Sequence, residues 1–326
     1  MKTPLFKQFL QEIASLTPQQ LGLLQKTLRS SLVGETASDI DLEQFIEKRF
    51  AESPVCPYCD NLHIHRWGIR DGRQRYRCPA CSHTFNAFTG TPLAKLHHSE
   101  KWSSYLAGMT HSLTLRKAAK EHGITLKTAF SWRHRFLQVI ENDQAPGLEG
   151  IVELDETFFR ESFKGQRQLP RPARKRGADK KTKARRIPVM VARDREDNTA
   201  DGVLENEGAQ EMVRYLNGRI SIEAVVCADA SLAHESLARK LGFPLKELNT
   251  SAGERVLEDV FHIQHVNAYH SHLKQWIINV FHGVATKYLA HYLGWRRLLA
   301  ARSSLTKERF VEILSGHWGY QPVTGT

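Results

Sequence analysis

The sequence predicts a multidomain α+β protein, in which helical and cysteine-rich segments precede a larger α/β domain. Residues 1–50 place apolar side chains at helical spacing, four of five cysteines cluster between Cys56 and Cys81, and strands alternate with helices after a linker at 142–147. A chain of 326 residues that is 41% hydrophobic can build more than one core. The predicted parts are a helical leader at 1–50, a ribbon at 51–92, a two-helix domain at 93–142 and an α/β domain at 148–326.

Composition favours a polyanionic partner. Forty-six basic against thirty-five acidic residues give a net charge of +11 and a pI near 9.5, which favours nucleic acid over a membrane surface. The sequence has no apolar run of membrane-spanning length, and its N-terminus lacks the apolar core of a signal peptide. We therefore expect a cytoplasmic protein without a membrane partner.

The cysteine cluster has the spacing of a zinc site. Cys56 and Cys59 form one Cys-x-x-Cys pair, and Cys78 and Cys81 form a second pair after eighteen intervening residues. Two such pairs can present four thiolates to one tetrahedral Zn²⁺, and a site filled by four thiolates has no open position for catalysis. The spacing predicts a structural zinc ribbon, with a pair of disulfides as the alternative.

The segment from Ser112 to Leu137 has the pattern of a helix-turn-helix. Gly123 allows a tight turn between two short amphipathic helices, and small alanines before it let the helices approach closely. In this motif the second helix enters the major groove of DNA. A plain helical hairpin is the alternative. The residues expected to face DNA are Lys127, Thr128, Ser131 and Arg135.

Two aspartates mark the candidate catalytic centre of the α/β domain. Asp155 lies within the strand pattern of Ile151 to Phe159, and Asp229 ends the buried run that begins at Ala224. Acids in these positions, followed by a long helix that carries a polar residue, form the layout of an RNase H-like nuclease. Such a pair can hold divalent metal ions for phosphodiester chemistry. The alternative is that both acids are structural.

The apolar stripe of the long helix predicts which of its polar residues share a face. Asn267 and Lys274 are seven residues apart and lie about 20° from each other around a helix axis, so they share a face. His262 and His265 form the one close histidine pair; a zinc site there is weighed against histidines that face solvent or DNA. His262, Glu254, Glu258 and Asp259 are spare candidates for a third metal ligand.

The order of these motifs resembles the bacterial insertion-sequence transposases with an ISXO2-like catalytic domain. The resemblance rests on VELDETFF, PVMVARDR, HIQHVNAYHSHLKQW and FHGVATKYLAHYLGWRR, and it covers nearly the whole chain beyond residue 50. It implies a DDE-type transposase that cuts and joins DNA with Mg²⁺ or Mn²⁺, with Asp155 and Asp229 as the catalytic aspartates. Asn267 then takes the third position, which is usually glutamate, and Lys274 follows it.

The resemblance also implies partners and a location. We expect double-stranded DNA, both terminal inverted repeats and target, and at least a homodimer, because two ends must be brought together in the bacterial nucleoid. An amide ligand carries no charge, so the second metal ion should be held weakly until DNA supplies a phosphate oxygen. Rival interpretations are a transcription regulator with an inactive RNase H-like domain, and a nuclease or resolvase without strand transfer.

A basic loop is expected at 161–186, between the first two strands of the α/β domain. From Lys164 onward it carries eleven lysines and arginines with a single acid, and like charges argue against compact packing. The run is interpreted as an arm that grips phosphates, with a merely solvated loop as the alternative. Its expected contacts include Arg174, Lys175 and Arg176.

Overall fold

The computed structural model describes residues 41–145, 147–170, 172, 185–249, 252–300 and 306–315. Most of the helical leader and three expected DNA contacts, Arg174, Lys175 and Arg176, lie outside these residues. Packing divides the chain into two compact units. The first runs to Phe88 and resumes at Lys95–His111, and the second comprises Thr89–Ala94 and everything from Ser112 onward. The four-part division predicted above stays a prediction.

The first unit is a three-stranded antiparallel ribbon covered by a helix. Helix α1 (Leu42–Glu52) begins at Asp41, whose side chain accepts hydrogen bonds from the next turn. Its buried Phe50 packs on Tyr76 of the ribbon, with ring centroids 4.9 Å apart. The remaining elements are β1 (His65–Arg70), β2 (Arg73–Arg77), β3 (Thr84–Asn86) and α2 (Trp102–Thr110).

The predicted hairpin between β1 and β2 is confirmed. Arg70 pairs with Arg73 across a two-residue turn, and Asp71 and Gly72 both have positive φ (53° and 77°). Asp-Gly is suited to this turn because both residues tolerate the left-handed region that its twist requires. Arg73 then reaches from β2 to Glu43 of α1 at 2.5 Å, which ties the helix to the ribbon.

The second unit begins with the predicted pair of helices. Helix α3 (Leu115–Glu121) and helix α4 (Leu126–Ile140) begin at Thr114 and Thr125, and each threonine side chain accepts an N–H of the first turn. Gly123 between them has a φ of 57°. The two-helix arrangement follows the sequence pattern, including the burial of small alanines at the helix contact.

The same unit contains a five-stranded mixed sheet with the order β6-β5-β4-β7-β8. The central strand β4 pairs antiparallel with β5 and parallel with β7. An antiparallel meander continued by parallel strands is the RNase H-like topology, so the predicted fold class is confirmed. The strands are β4 (Ile151–Arg160), β5 (Arg186–Asp194), β6 (Thr199–Val203), β7 (Val225–Asp229) and β8 (Leu245–Leu248).

Helices cover both faces of this sheet. Those of the second unit are α5 (Ala209–Leu216), α6 (Leu232–Leu241), α7 (Gln264–Phe281), α8 (Leu289–Ala300) and α9 (Thr306–Ser315). Val152 and Leu154 of β4 enter the core beneath α5 and α6. Residues of β5 pack on the opposite face with Val266 and Leu273 of α7. Because side chains alternate along a strand, Glu153, Asp155 and Thr157 face α7.

Helix α8 joins the two-helix motif to the sheet. Gly294 lies so close to α4 that a Cβ there would be 2.6 Å from the Cα of Glu141. Arg297 donates to the carbonyls of Glu141 and Asp143 at 2.9 Å and pairs with the buried Asp201. Tyr269 donates to the same aspartate at 2.5 Å. These contacts hold α4, α7 and α8 in one packed body.

No helix among the described residues is both long and apolar enough to cross a bilayer.

Candidate active site

The candidate active site lies where β4 and α7 run side by side on one face of the sheet. Near the start of both elements, Glu153 accepts the N–H of Val266 at 2.9 Å. Further along, Asp155 Oδ2 lies 3.6 Å from His270 Nδ1. Successive residues of the strand therefore meet successive turns of the helix, and this alignment decides which helical face the aspartate sees.

Glu153 anchors the first turn of α7. Its side chain is fully buried, and it pairs with Arg195 at 2.7 Å. Ile263, at the start of the helix, provides no side-chain cap, so the Glu153 carboxylate satisfies an N–H that would otherwise lack a partner. An acid buried in the middle of a sheet is stable here because both a cation and a helix N-terminus face it.

Asp155 carries an unusual proton affinity. Burial raises the pKa of its carboxyl to about 7, and the neighbouring charges of Glu156 and Asp229 contribute in the same direction. Asp155 and Asp229 are thus close enough to interact, as expected from their positions on the paired strands β4 and β7. A buried carboxyl such as Asp155, whose ionisation is opposed by neighbouring acids, favours a bound cation, because the cation offsets that repulsion.

His234 balances the charge of Asp229. Its Nδ1 lies 2.7 Å from the Asp229 carboxylate and its Nε2 lies 3.2 Å from Glu156. Burial alone would lower the pKa of His234, but hydrogen bonds to these two acids raise it to about 10. The same contact lowers the pKa of Asp229. His234 was not among the predicted site residues; its place in the first turn after Asp229 was the available signal.

Helix α7 presents a polar face to this centre. His270, which contacts Asp155, lies three residues after Asn267 and four before Lys274, so all three share one side of the helix. Asn267 is exposed and Lys274 is half-buried. The phase predicted for Asn267 and Lys274 therefore agrees with the observed helix. Sequence reasoning missed His270, although it fits the same i, i+3, i+7 pattern; burial lowers the pKa of its imidazole to about 4.

The predicted His262–His265 pair lies beside Glu153. Ligand atoms of these three residues are within 4.8 Å of one another. Arg195 Nη1 sits among them, 2.7 Å from Glu153, 2.9 Å from His262 Nε2 and 3.4 Å from His265 Nδ1. A guanidinium therefore already supplies the positive charge that a metal ion would bring to Glu153.

Three of the four spare candidates for a third ligand contact other residues. His262 belongs to the cluster around Arg195. Glu258 pairs with Lys246 at 2.6 Å, and Glu254 accepts the N–H of Asn249 at 3.2 Å. Asp259 has a left-handed backbone, with a φ of 59°.

The four clustered cysteines form a second candidate metal centre, in the first unit. Cys56 and Cys81 have their sulfurs 3.6 Å apart, as do Cys59 and Cys78. A disulfide requires about 2.05 Å, whereas thiolates about 2.3 Å from a tetrahedral Zn²⁺ lie near the observed separation. The disulfide alternative does not hold, because all four are free cysteines.

Both cysteine pairs lie in the same kind of turn. The backbone N–H of Asp60 bonds to the carbonyl of Cys56, and that of Ser82 bonds to the carbonyl of Cys78. Burial would raise the pKa of Cys78, but the N–H groups of Cys81 and Ala80 lower it to about 7. At Cys78 the backbone thus favours the thiolate form that a zinc ion requires, whereas burial raises the pKa of Cys56.

The predicted DNA-facing residues of α4 differ in their surroundings. Lys127 and Ser131 are exposed, and Arg135 is half-buried. Thr128 instead shares a hydrogen bond with Thr125 at 2.8 Å, within the helix cap. Another side of α4 packs on α8, where His134 Nδ1 lies 3.0 Å from His291 Nδ1, and His134 also stacks on Tyr288, just before α8, with centroids 3.9 Å apart.

Lys164, the first cation of the basic loop, has a structural role. Its Nζ donates to the carbonyls of Phe281, His282 and Gly283 at 2.6, 3.2 and 2.8 Å. These carbonyls end α7, and a cation there complements the helix dipole. The interpretation of Lys164 as part of a phosphate-gripping arm is therefore replaced by that of a helix cap.

An RNase H-like sheet with neighbouring aspartates on its two central strands defines a polynucleotidyl transferase or nuclease. Residues 147–296 match the ISXO2-like transposase domain, and residues 39–84 match the transposase zinc-ribbon domain. The chain thus carries a catalytic domain and a zinc-ribbon domain that match those of insertion-sequence DDE-type transposases, a class of DNA-cleaving enzymes. The regulator alternative is not favoured.

Individual relatives have low sequence identity to this chain. A Halobacterium salinarum protein described as an uncharacterized protein in transposable element ISH50 is 29% identical over 260 residues, covering 75% of this chain and 84% of the relative. The simian T-cell lymphotropic virus intasome in complex with the PP2A regulatory subunit B56 gamma aligns with a TM-score of 0.29 and 15% identity over 58% of this chain and 66% of its own. The pre-cleavage Mos1 transpososome aligns with a TM-score of 0.23 and 10% identity, over 64% of this chain and 76% of its own.

Proposed function

We propose that this transposase binds the terminal inverted repeats of its element as double-stranded DNA, cleaves the end phosphodiester and joins the freed 3′ hydroxyl to target DNA. Both steps are in-line displacements at phosphorus. We propose at least a homodimer, since two element ends must be processed together. The observation that supports catalysis at this centre is the placement of Asp155 and Asp229 on the paired strands β4 and β7, with His270 3.6 Å from Asp155 and His234 2.7 Å from Asp229.

Asp155, Asp229 and Asn267 are the residues that would hold Mg²⁺ or Mn²⁺. Their oxygen donors suit a hard cation, and the crowding of Asp155 by Asp229 is relieved by one. When bound, the ion activates the attacking oxygen and stabilises the leaving oxygen. Cys56, Cys59, Cys78 and Cys81 would hold Zn²⁺ in a structural role, in keeping with their sulfur separations.

The other residues of the centre bind and orient. His234 holds the Asp229 carboxylate through Nδ1 at 2.7 Å, which fixes the direction in which its other oxygen points. Lys274 shares the α7 face with Asn267 and places a positive charge where a scissile phosphate, or its neighbour, would lie. Because the carboxamide brings no charge, the phosphate completes the anionic environment, so tight metal binding should require DNA.

DNA recognition is assigned to the ribbon and the helix-turn-helix. Lys127, Ser131 and Arg135 lie at intervals of four residues on α4, and the first two are exposed. Thr128, whose hydroxyl bonds to Thr125, would contribute chiefly by fixing the start of the helix. The arm that contains Arg174, Lys175 and Arg176 would add contacts to phosphates, which carry affinity more than sequence preference.

The test is strand cleavage of a labelled duplex that carries the end of the element, with mapped product ends. Asp155→Asn and Asp229→Asn should each lower cleavage by at least about a thousandfold, as loss of a central electrostatic contact does in other enzymes, while DNA affinity is kept. Glu235→Gln is the matched control, because it removes one exposed acid from α6 beside His234. Loss of DNA binding in both aspartate variants would show that the two acids are structural.

A further inference from the structure

A cavity of about 610 Å³ opens at the far end of the catalytic face. Its walls come from the last residues of β4, from the segment that follows β4, and from the second half of α7. Phe159 and Phe163 are in its lining, together with Ile277 and Ile278 of α7. The lining includes Lys274 but not Asp155, Asp229 or Asn267.

We propose that this cavity is a pocket for one unpaired nucleobase of the DNA strand held at Asp155 and Asp229. The proposal rests on the proposed function, since it requires DNA at that face, and it adds a ligand subsite to it. The occupant is a base, in an apolar enclosure, whose attached phosphate remains at the charged rim.

The position of the pocket supports this occupant. Lys274 lines the cavity and also shares the α7 face with His270, which contacts Asp155. Phe159 lies four residues beyond Asp155 on the same face of β4, which corresponds to about 13 Å along an extended strand. A DNA strand that passes the aspartates toward Lys274 thus arrives at the mouth of the pocket.

The chemistry of the walls supports it as well. Phenylalanine rings and isoleucines accept the flat, apolar face of a base, and aromatic stacking tolerates any base because every base has a π face. Lys274 and Arg160 add positive charge to the lining. An apolar interior with a cationic margin complements a nucleotide, which joins an apolar base to an anionic phosphate.

The interior also has polar groups that suit a base edge. Glu161 and Ser162 are part of the lining. A carboxylate accepts hydrogen bonds from the exocyclic amino groups of adenine, cytosine or guanine, and a hydroxyl can donate or accept. The pocket is therefore expected to take a base of any identity, with a preference for those that carry an amino group.

The experiment compares three fluorescein-labelled duplexes by anisotropy, without added divalent cation: one fully paired, one with an unpaired 3′ overhang of ordinary nucleotides, and one whose overhang is abasic. The wild-type chain should bind the overhang with bases at least about fivefold more tightly than the abasic overhang, as stacking of one base implies. Equal affinity for these two overhangs would overturn the proposal.

Two variants make the test specific. Ile278→Glu places a charge in the apolar wall; this residue is 60% exposed, so the fold should tolerate the change. Asn279→Glu is the matched control, because it adds the same charge to the same helix at an exposed position outside the lining. Ile278→Glu should abolish the preference for bases and Asn279→Glu should keep it. A preference that survives in Ile278→Glu would contradict the pocket.

A second measurement locates the base directly. A 5-iodouracil in the overhang should crosslink on irradiation to the peptide that contains Phe158, Phe159 or Phe163, and crosslinks confined to other peptides would reject the assignment. Cleavage of element ends tests the proposed function independently of the pocket. If ends are cut but bases make no difference, the pocket fails alone; if no end is cut, the proposed function fails.

Discussion

The anchoring of α7 by Glu153 leads to a quantitative prediction about stability and catalysis. Glu153→Gln keeps an oxygen that can accept the N–H of Val266 but removes the charge that faces Arg195 at 2.7 Å. An exposed ion pair contributes roughly 1 kcal/mol or less and loss of one member of a buried pair costs about 3–5 kcal/mol; the Arg195 side chain is 25% exposed, so this pair lies between the two cases. We expect Glu153→Gln to destabilise the second unit by about 1–2 kcal/mol.

Glu153→Ala should be worse, because it leaves both Arg195 and the N–H of Val266 without their buried partner. Removing one member of a buried ion pair costs about 3–5 kcal/mol. The assay is urea unfolding combined with hydrogen exchange of the amides in the first turn of α7. Glu149→Gln, an exposed acid that precedes the same strand, is the control and should be neutral.

The same variants should slow DNA cleavage, because α7 carries Asn267 and Lys274. If Glu153→Gln were as stable as wild type, or if the alanine and glutamine variants were equally stable, the anchoring role would be refuted. A double variant that replaces both Glu153 and Arg195 by apolar residues should recover much of the lost stability, since no unpaired charge is then buried.

Three further predictions concern other parts of the molecule. Cys78→Ser should abolish stoichiometric zinc binding, measured by metal analysis, whereas Cys227→Ala in the sheet should keep it. Gly294→Ala should cost about 1–3 kcal/mol because its Cβ would meet the Glu141 backbone at 2.6 Å, and Gly147→Ala, which has open space, should not; thermal unfolding would decide. Burial lowers the pKa of His134 to about 3 and that of His291 to about 4. As pH falls below 6.5, these histidines are protonated in the unfolded chain but not in the folded one. Each should therefore lower the free energy of unfolding by about 1.4 kcal/mol per pH unit below pH 6.5. Because the raised pKa of Asp155 changes stability in the opposite direction over the same range, the measurement is the difference in pH dependence between wild type and His134→Gln, and an equal dependence in both chains would contradict this last prediction.

Periodicity made much of the α/β domain accessible from the sequence. The alternation along Ile151–Arg160 identified the side of β4 that carries Asp155, because a strand turns successive side chains to opposite faces. The seven-residue interval of Asn267 and Lys274 gave their common face for the same reason of fixed helical geometry. The Asp-Gly turn and the two Cys-x-x-Cys pairs each involve only a few neighbouring residues, so the sequence predicted them as well.

Contacts between segments that are far apart in the sequence could not be predicted from such local patterns. His270 and His234 looked like ordinary helical histidines, and their roles appear only once Asp155 and Asp229 are placed beside them. Lys164 belonged by composition to a basic loop, but the end of α7 lies within its reach. Nothing in the local pattern showed that Arg195 would fill the space between Glu153 and His262.

The sequence by itself therefore determined the fold class, the cysteine cluster and the order of the candidate catalytic residues, because each depends on spacing along the chain. The tertiary structure alone decided which charges meet, which histidines adjoin the aspartates, and where a cavity opens next to Lys274. Those features depend on how β4 and α7 align, and that alignment is fixed by packing and a buried ion pair rather than by any local preference.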